Sequence, residues 1–240
     1  MFKDKWNGSW NGNTPIGDFH QRSRNVVRPT GTIMRGKFPS RKNGRMMQFE
    51  GLLERDAMYL FETSSKILRY REQPLKLRYP DGNRLRTYTP DFELVLDTGE
   101  TILIEIKHHS SLEHQDVKHQ LERITEHLTQ SGQSFLVLTD EIIRREPRLT
   151  NLKCINSELP RLWPTEAAIH NIYQQYVNRF PMDFNQAKDL FAKHQFELSS
   201  LIVSGALTLD LDQAIHSEAQ IYSIKEHFHD SFWISKQYGF

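Results

Sequence analysis

Cysteine is almost missing from this 240-residue chain, and Cys154 is the only one. A disulfide framework within the chain is therefore impossible, and so is a zinc site built on several thiolates. Long apolar runs are also lacking. No stretch approaches the roughly 20 residues of a membrane helix, and the N-terminus has no signal-peptide core. A cytoplasmic protein with no membrane partner is the expectation. Charge of one sign is not in excess: the net charge is +1, which argues against a uniformly basic nucleic-acid coat. What remains is an ordinary globular composition, 38% hydrophobic and 25% charged, long enough for one large domain or two small ones.

The near-neutral total hides an uneven distribution. Residues 1–48 carry ten Lys or Arg against Asp4 and Asp18, a local net charge of +8, whereas residues 160–240 carry six basic and nine acidic residues, a net charge of −3. Residues 1–30, with Trp6 and Trp10, show neither helical nor strand periodicity. They read as a basic flexible arm that meets DNA phosphates or a partner protein. The acidic tail is less suited to phosphate and favours a protein partner.

Between the two ends the pattern alternates. Gln48 to Glu62 follows helical spacing. Strands are predicted over Ile67 to Tyr79, interrupted by Pro74, and over Leu85 to Leu96 and Thr101 to Lys107. Turn signals at Pro80-Asp81-Gly82-Asn83 and Asp97-Thr98-Gly99-Glu100 separate them. Leu112, Val117, Leu121, Ile124 and Leu128 mark an amphipathic helix, and Ser134 to Leu138 a short buried strand. A helix crossing between two strands predicts that the last strand runs parallel to its predecessor. Pro147 and Pro160 bracket a connector. Beyond it, helices are predicted over Thr165 to Phe180, Asn185 to Lys193 and Leu198 to Ser204, then extended segments Leu207 to Leu211 and Ala219 to Ile224. Three helices and a hairpin suggest a small winged-helix-like unit. The expected organisation is an arm over 1–30, an α/β domain over 31–160 and the small unit over 161–240.

The chemistry-bearing pattern is Pro90-Asp91, then Glu105-x-Lys107 on the following strand. Glu105 and Lys107 are two apart and so share a face of the strand. The tight turn at 97–100 sets Asp91 opposite them. Carboxylates are ligands for hard divalent metals, and a metal can orient water and neutralise charge at a scissile phosphate. The lysine can orient or deprotonate the attacking water, or steady the developing charge. A third acidic ligand is expected from the preceding helix: Glu54, with Glu50 one turn earlier in reserve.

Read in order, Pro39-Ser40-x-Lys42, Glu50 to Asp56, Glu72-Gln73-Pro74, Tyr88-Thr89-Pro90-Asp91-Phe92 and Glu105-Ile106-Lys107 resemble the TnsA family. These are endonuclease subunits of heteromeric transposases with a restriction-endonuclease-like PD-(D/E)xK fold. The resemblance covers roughly residues 25–140, and more weakly the C-terminal portion. It implies Glu54, Asp91, Glu105 and Lys107 as the catalytic set, with Glu54, Asp91 and Glu105 on Mg²⁺, for which Mn²⁺ can substitute. It further implies cleavage of the 5′ strands at transposon ends beside a partner transposase, and a AAA+ ATPase regulator contacting the C-terminal part. Some family members carry Gln where Glu105 stands.

Two other readings keep the same fold: a stand-alone restriction or repair nuclease, and a non-catalytic DNA-binding scaffold. His108 and His109 follow Lys107 directly but suit Mg²⁺ less than carboxylates do, so surface positions are expected. His114 and His119 lie five apart on a helix and do not share a face well enough for a zinc pair. Cys154 has no nucleophile setting and is expected to be structural.

Overall fold

The computed structural model describes residues 34–224 together with 234, 235, 237, 238 and 240. The arm expected over 1–30, with Trp6 and Trp10, lies outside the described residues. Described structure begins with an antiparallel hairpin, β1 (Gly36–Ser40) and β2 (Arg45–Phe49), followed by helix α1 (Leu52–Thr63). The helix expected from Gln48 therefore starts four residues later, because Gln48 and Phe49 complete the ladder of β2.

The central sheet has the order β3 (Ile67–Glu72), β6 (Phe92–Leu96), β7 (Thr101–Lys107), β8 (Ser134–Thr139). It is mixed: β3–β6 and β6–β7 are antiparallel, and β7–β8 is parallel across helix α2 (Gln115–Gln130). The strands β4 (Leu77–Asp81) and β5 (Arg84–Tyr88) form a separate two-stranded hairpin. The two long strands expected over 67–79 and 85–96 are thus each broken in two. Gln73 takes a left-handed φ of 44° ahead of Pro74, and Pro90 cannot donate to a ladder. At the hairpin tip Gly82 supplies the positive φ of 58° that the tight turn requires.

Alternation along β7 divides the core. Ile102, Ile104 and Ile106 join the large cluster that holds Ala57, Met58 and Phe61 of α1, while Leu103 faces the other way onto Tyr79, Tyr88, Ile124 and Leu128. The central sheet is therefore packed between α1 on one side and the β4–β5 hairpin with α2 on the other.

Buried polar groups fix the β1–β2 hairpin to this core. Glu62 accepts from the Ser40 and Tyr70 hydroxyls, each at 2.8 Å, and from the backbone N–H groups of Arg41 and Lys42. Lys42 donates to the carbonyls of Phe61, Ser64 and Ile67, satisfying acceptors at the end of α1. Burial pulls its ammonium down to about 8, against the neighbouring Glu62 carboxylate. Arg45 makes a bidentate, buried pair with Glu72, and Glu72 also accepts from the Gln48 N–H.

The connector expected between Pro147 and Pro160 is helical: α3 (Asp140–Ile143) follows β8 directly, and α4 (Arg148–Ser157) packs on α1. After it come α5 (Glu166–Tyr176), β9 (Met182–Asp183), α6 (Phe184–Ala192), α7 (Leu198–Val203), β10 (Leu207–Leu209) and β11 (Gln220–Ser223). The three strands form an antiparallel sheet in the order β10-β11-β9. The extra strand β9 joins the expected hairpin because the Ile221↔Met182 register pairs it with β11. Arg148 holds Asp212 through two bonds of 2.8 and 2.7 Å, and the Asn151 amide donates to the carbonyls of Leu211 and Gln213. One apolar cluster runs without a break from α1 and α4 into α5, α6 and α7. No helix among the described residues is long and apolar enough to cross a membrane.

Candidate active site

The last pair of the β6–β7 ladder is Phe92↔Ile104, and Asp91 stands one residue beyond it. There the Asp91 side chain takes over from the backbone: its Oδ2 accepts the Ile106 N–H at 2.8 Å. The residue is steadied from the other side too, since its carbonyl accepts the Gln73 N–H at 2.8 Å. That bond continues the antiparallel β3–β6 pairing one step past Glu72↔Phe92, before the chain turns left-handed at Gln73 ahead of Pro74.

Glu105 and Lys107 leave β7 on the same side. Glu105 is buried at 5% exposure, with Oε1 on the Lys107 ammonium and Oε2 on the Tyr88 hydroxyl, each at 2.5 Å. Burial and the Glu105 carboxylate hold the Tyr88 phenol far above its ordinary value, so this hydroxyl remains a donor. Lys107 is held above the usual lysine value: burial works against the charge, but Glu105, then Asp91 and Glu54, outweigh it.

Glu54 sits in the first turn of α1, where its Oε2 accepts the Glu50 N–H at 2.8 Å. Glu50 itself lies 3.8 Å from Arg35. The Asp91 carboxyl is held well above the carboxylate range, first by burial, then by the Glu105 and Glu54 carboxylates, while the Ile106 N–H and Lys107 oppose the shift. Asp91, Glu105, Lys107 and Glu54 therefore fall within one electrostatic neighbourhood.

Donor chemistry in this neighbourhood suits a hard divalent ion, because three carboxylates repel one another around Asp91 and a cation would relieve that repulsion. Their oxygens do not converge into a ready ligand cage. Among the described residues, no three His, Cys, Asp or Glu side chains form a group that could hold a metal ion. Glu105 accounts for part of this, with both oxygens committed to Tyr88 and Lys107.

The sequence alone gives Tyr88 and Gln73 no place beyond the motifs that contain them. Alternation along a strand does not reveal that a phenol 17 positions upstream reaches Glu105. His108 and His109 are exposed, as expected; Asp140 accepts the His109 N–H at 2.6 Å and lies 3.3 Å from the His108 ring. His119 pairs with Asp81 at 2.8 Å rather than with His114. Cys154 is exposed on α4.

Residues 64–140 match the family described as TnsA-like endonuclease N terminal. The matched segment runs from the end of α1 to the start of α3. It contains Asp91, Glu105 and Lys107, but neither Glu54 nor the C-terminal helices. No curated protein matches the chain.

Proposed function

We propose that this protein is a metal-dependent DNA endonuclease, the subunit of a heteromeric transposase that cuts the 5′ strands at transposon ends beside a partner transposase. One observation carries the reading. Within the TnsA-like segment, the ends of two paired strands bring Asp91, Glu105 and Lys107 together, with Glu54 close enough to act on Asp91.

Asp91, Glu105 and Glu54 would hold Mg²⁺, or Mn²⁺ in its place, one ion or two. When bound, the ion supplies charge neutralisation at the scissile phosphate and a more acidic water. The chain's own residues do the rest. Ile106 and Gln73 fix Asp91 through its side chain and backbone, Tyr88 fixes the rotamer of Glu105, and Lys107 places a positive charge where an oxyanion would build up.

Residues 31–160 form the nuclease domain in this reading and residues 1–30 a DNA- or partner-binding arm. Residues 161–240 form a winged-helix-like domain, a view supported by the order α5, β9, α6, α7, β10, β11 and the three-stranded antiparallel sheet. The net charge of −3 over residues 160–240 supports docking of a protein there, the AAA+ ATPase regulator, rather than DNA.

The engagement of Glu105 by Tyr88 and Lys107 favours a second reading, a non-catalytic DNA-binding scaffold of the same fold. One assay separates the two. The full chain, alone and with a partner transposase, is incubated with a labelled duplex carrying transposon ends. Strand scission that requires Mg²⁺ or Mn²⁺, stops with EDTA and is lost in Asp91→Ala is expected. Intact duplex under all these conditions, with the partner present, overturns the nuclease reading in favour of the scaffold.

A further inference from the structure

The β4–β5 hairpin is rooted in the active site yet takes no part in the central sheet. At its base Tyr88 holds Glu105, and three residues after β5 comes Asp91. Its inner face is anchored: Tyr79 and Tyr88 pack with Ile124 and Leu128 of α2, and the Asp81 carboxylate bonds His119 of α2 and Arg86. Its stance relative to the site is therefore fixed.

The outer face has no such partners. The register Arg78↔Thr87 and Pro80↔Leu85 sets Lys76, Arg78, Leu85 and Thr87 on the side away from Tyr79, while Arg84 stands opposite Asp81 beside the turn, on the Tyr79 side. Leu85 is 64% exposed, and Lys76, Arg78 and Arg84 are exposed as well. None of these three cations forms an ion pair among the described residues. Residues 76–88 carry four basic residues against Asp81, a net charge of +3 in a chain whose total is +1. Cations left unpaired on a rigid two-stranded ribbon suit a polyanion that runs past them, and the ribbon leads to Asp91 and Glu105.

We infer that the outer face of the β4–β5 hairpin is a duplex-DNA contact, with Lys76 and Arg78 on backbone phosphates next to the scissile position. The inference deepens the nuclease reading and rests on it for the identity of the polyanion. Phosphate contacts position the duplex and release counterions, so their signature is salt dependence rather than sequence preference.

The test is fluorescence anisotropy of a labelled duplex with the full chain in EDTA, over a salt series, for wild type, Lys76→Ala/Arg78→Ala and Asp91→Ala. Lys193→Ala, which removes a charge far along the chain, serves as control, and circular dichroism checks folding. The hairpin double variant is expected to bind tenfold or more weakly. The slope of log K against log salt should fall in magnitude by roughly two, at about 0.9 per lost phosphate contact. Lys193→Ala should bind as wild type does. An unchanged affinity and slope in the folded double variant overturns the inference, whether or not the protein cuts DNA. So does a wild type that binds no duplex at low salt. Hairpin-dependent binding without metal-dependent scission leaves the inference standing and removes the nuclease reading instead.

Discussion

The Tyr88 hydroxyl donates to Oε2 of Glu105 across 2.5 Å, joining the base of the β4–β5 hairpin to the middle of the site. Both groups are buried, and Lys107 takes the other oxygen, so the carboxylate has a single rotamer available to it. Tyr88→Phe removes the donor and keeps the ring. The variant is expected to lose about 1–3 kcal/mol of stability, the cost of a buried acceptor without its partner. In the proposed nuclease it should also cut about tenfold more slowly while binding duplex as wild type does. Thermal denaturation and single-turnover scission measure the two effects separately.

Arg45 and Glu72 form the most deeply buried bidentate ion pair in the described structure, at 2.9 and 2.6 Å. Glu72 immediately precedes Gln73, whose N–H holds Asp91. Arg45→Ala strips a buried carboxylate of its cation and should cost about 3–5 kcal/mol. Urea denaturation should show a lower midpoint with an unchanged slope.

Asp56 on α1 is met by Arg55, Arg144 and Lys153 at 3.0, 2.9 and 3.1 Å, which ties α1 to α3 and α4. Burial alone would raise its carboxyl, but these three cations hold it below the ordinary range. A folded value below the unfolded one means that the stabilisation is complete above the unfolded pKa. It is lost as pH falls through the folded pKa. Asp56→Asn should therefore cost about 2 kcal/mol at pH 7. This is less than for a fully enclosed pair, because the cations are each about a third exposed. The gap from wild type should close steadily below about pH 4, as followed by denaturant midpoints at several pH values.

Gly205 has a φ of +77°, and a Cβ at this position would lie 2.8 Å from the Ser65 side chain. Two penalties coincide there, a left-handed backbone and a close approach of the C-terminal helices to the end of α1. Gly205→Ala is expected to lower stability by more than about 1 kcal/mol. The companion change Ser65→Gly should recover only the part due to contact. A calorimetric comparison of the single and double variants separates the two terms.

Much of the central architecture was legible because it rests on periodicity. The alternation of Ile102, Leu103, Ile104 and Ile106 marks β7, and the helix between β7 and β8 implies their parallel pairing. Helix α4 was illegible for the opposite reason. Its buried face mixes Leu149, Leu152 and Ile155 with Arg148 and Asn151, which face Asp212 and the carbonyls of Leu211 and Gln213, so its apolar stripe is interrupted by polar groups. The β1–β2 hairpin was hidden by Pro39 and by a run of cations whose partners, such as Glu72 for Arg45, lie far along the chain. In the site, Asp91, Glu105 and Lys107 could be placed from spacing alone. The support from Tyr88 depends on a hairpin leaving the sheet, which leaves no periodic signal.

The central claim is that Asp91, Glu105 and Glu54 together hold the catalytic divalent metal, one ion or two, beside Lys107. Titration of Mn²⁺ into the full chain, followed by the electron paramagnetic resonance of the free ion, tests it most directly. Wild type should sequester Mn²⁺, Asp91→Ala should lose that binding, and Glu54→Ala should weaken it, all with unchanged circular dichroism. Equal Mn²⁺ binding by wild type and Asp91→Ala, or none by either in the presence of duplex DNA, would contradict the claim.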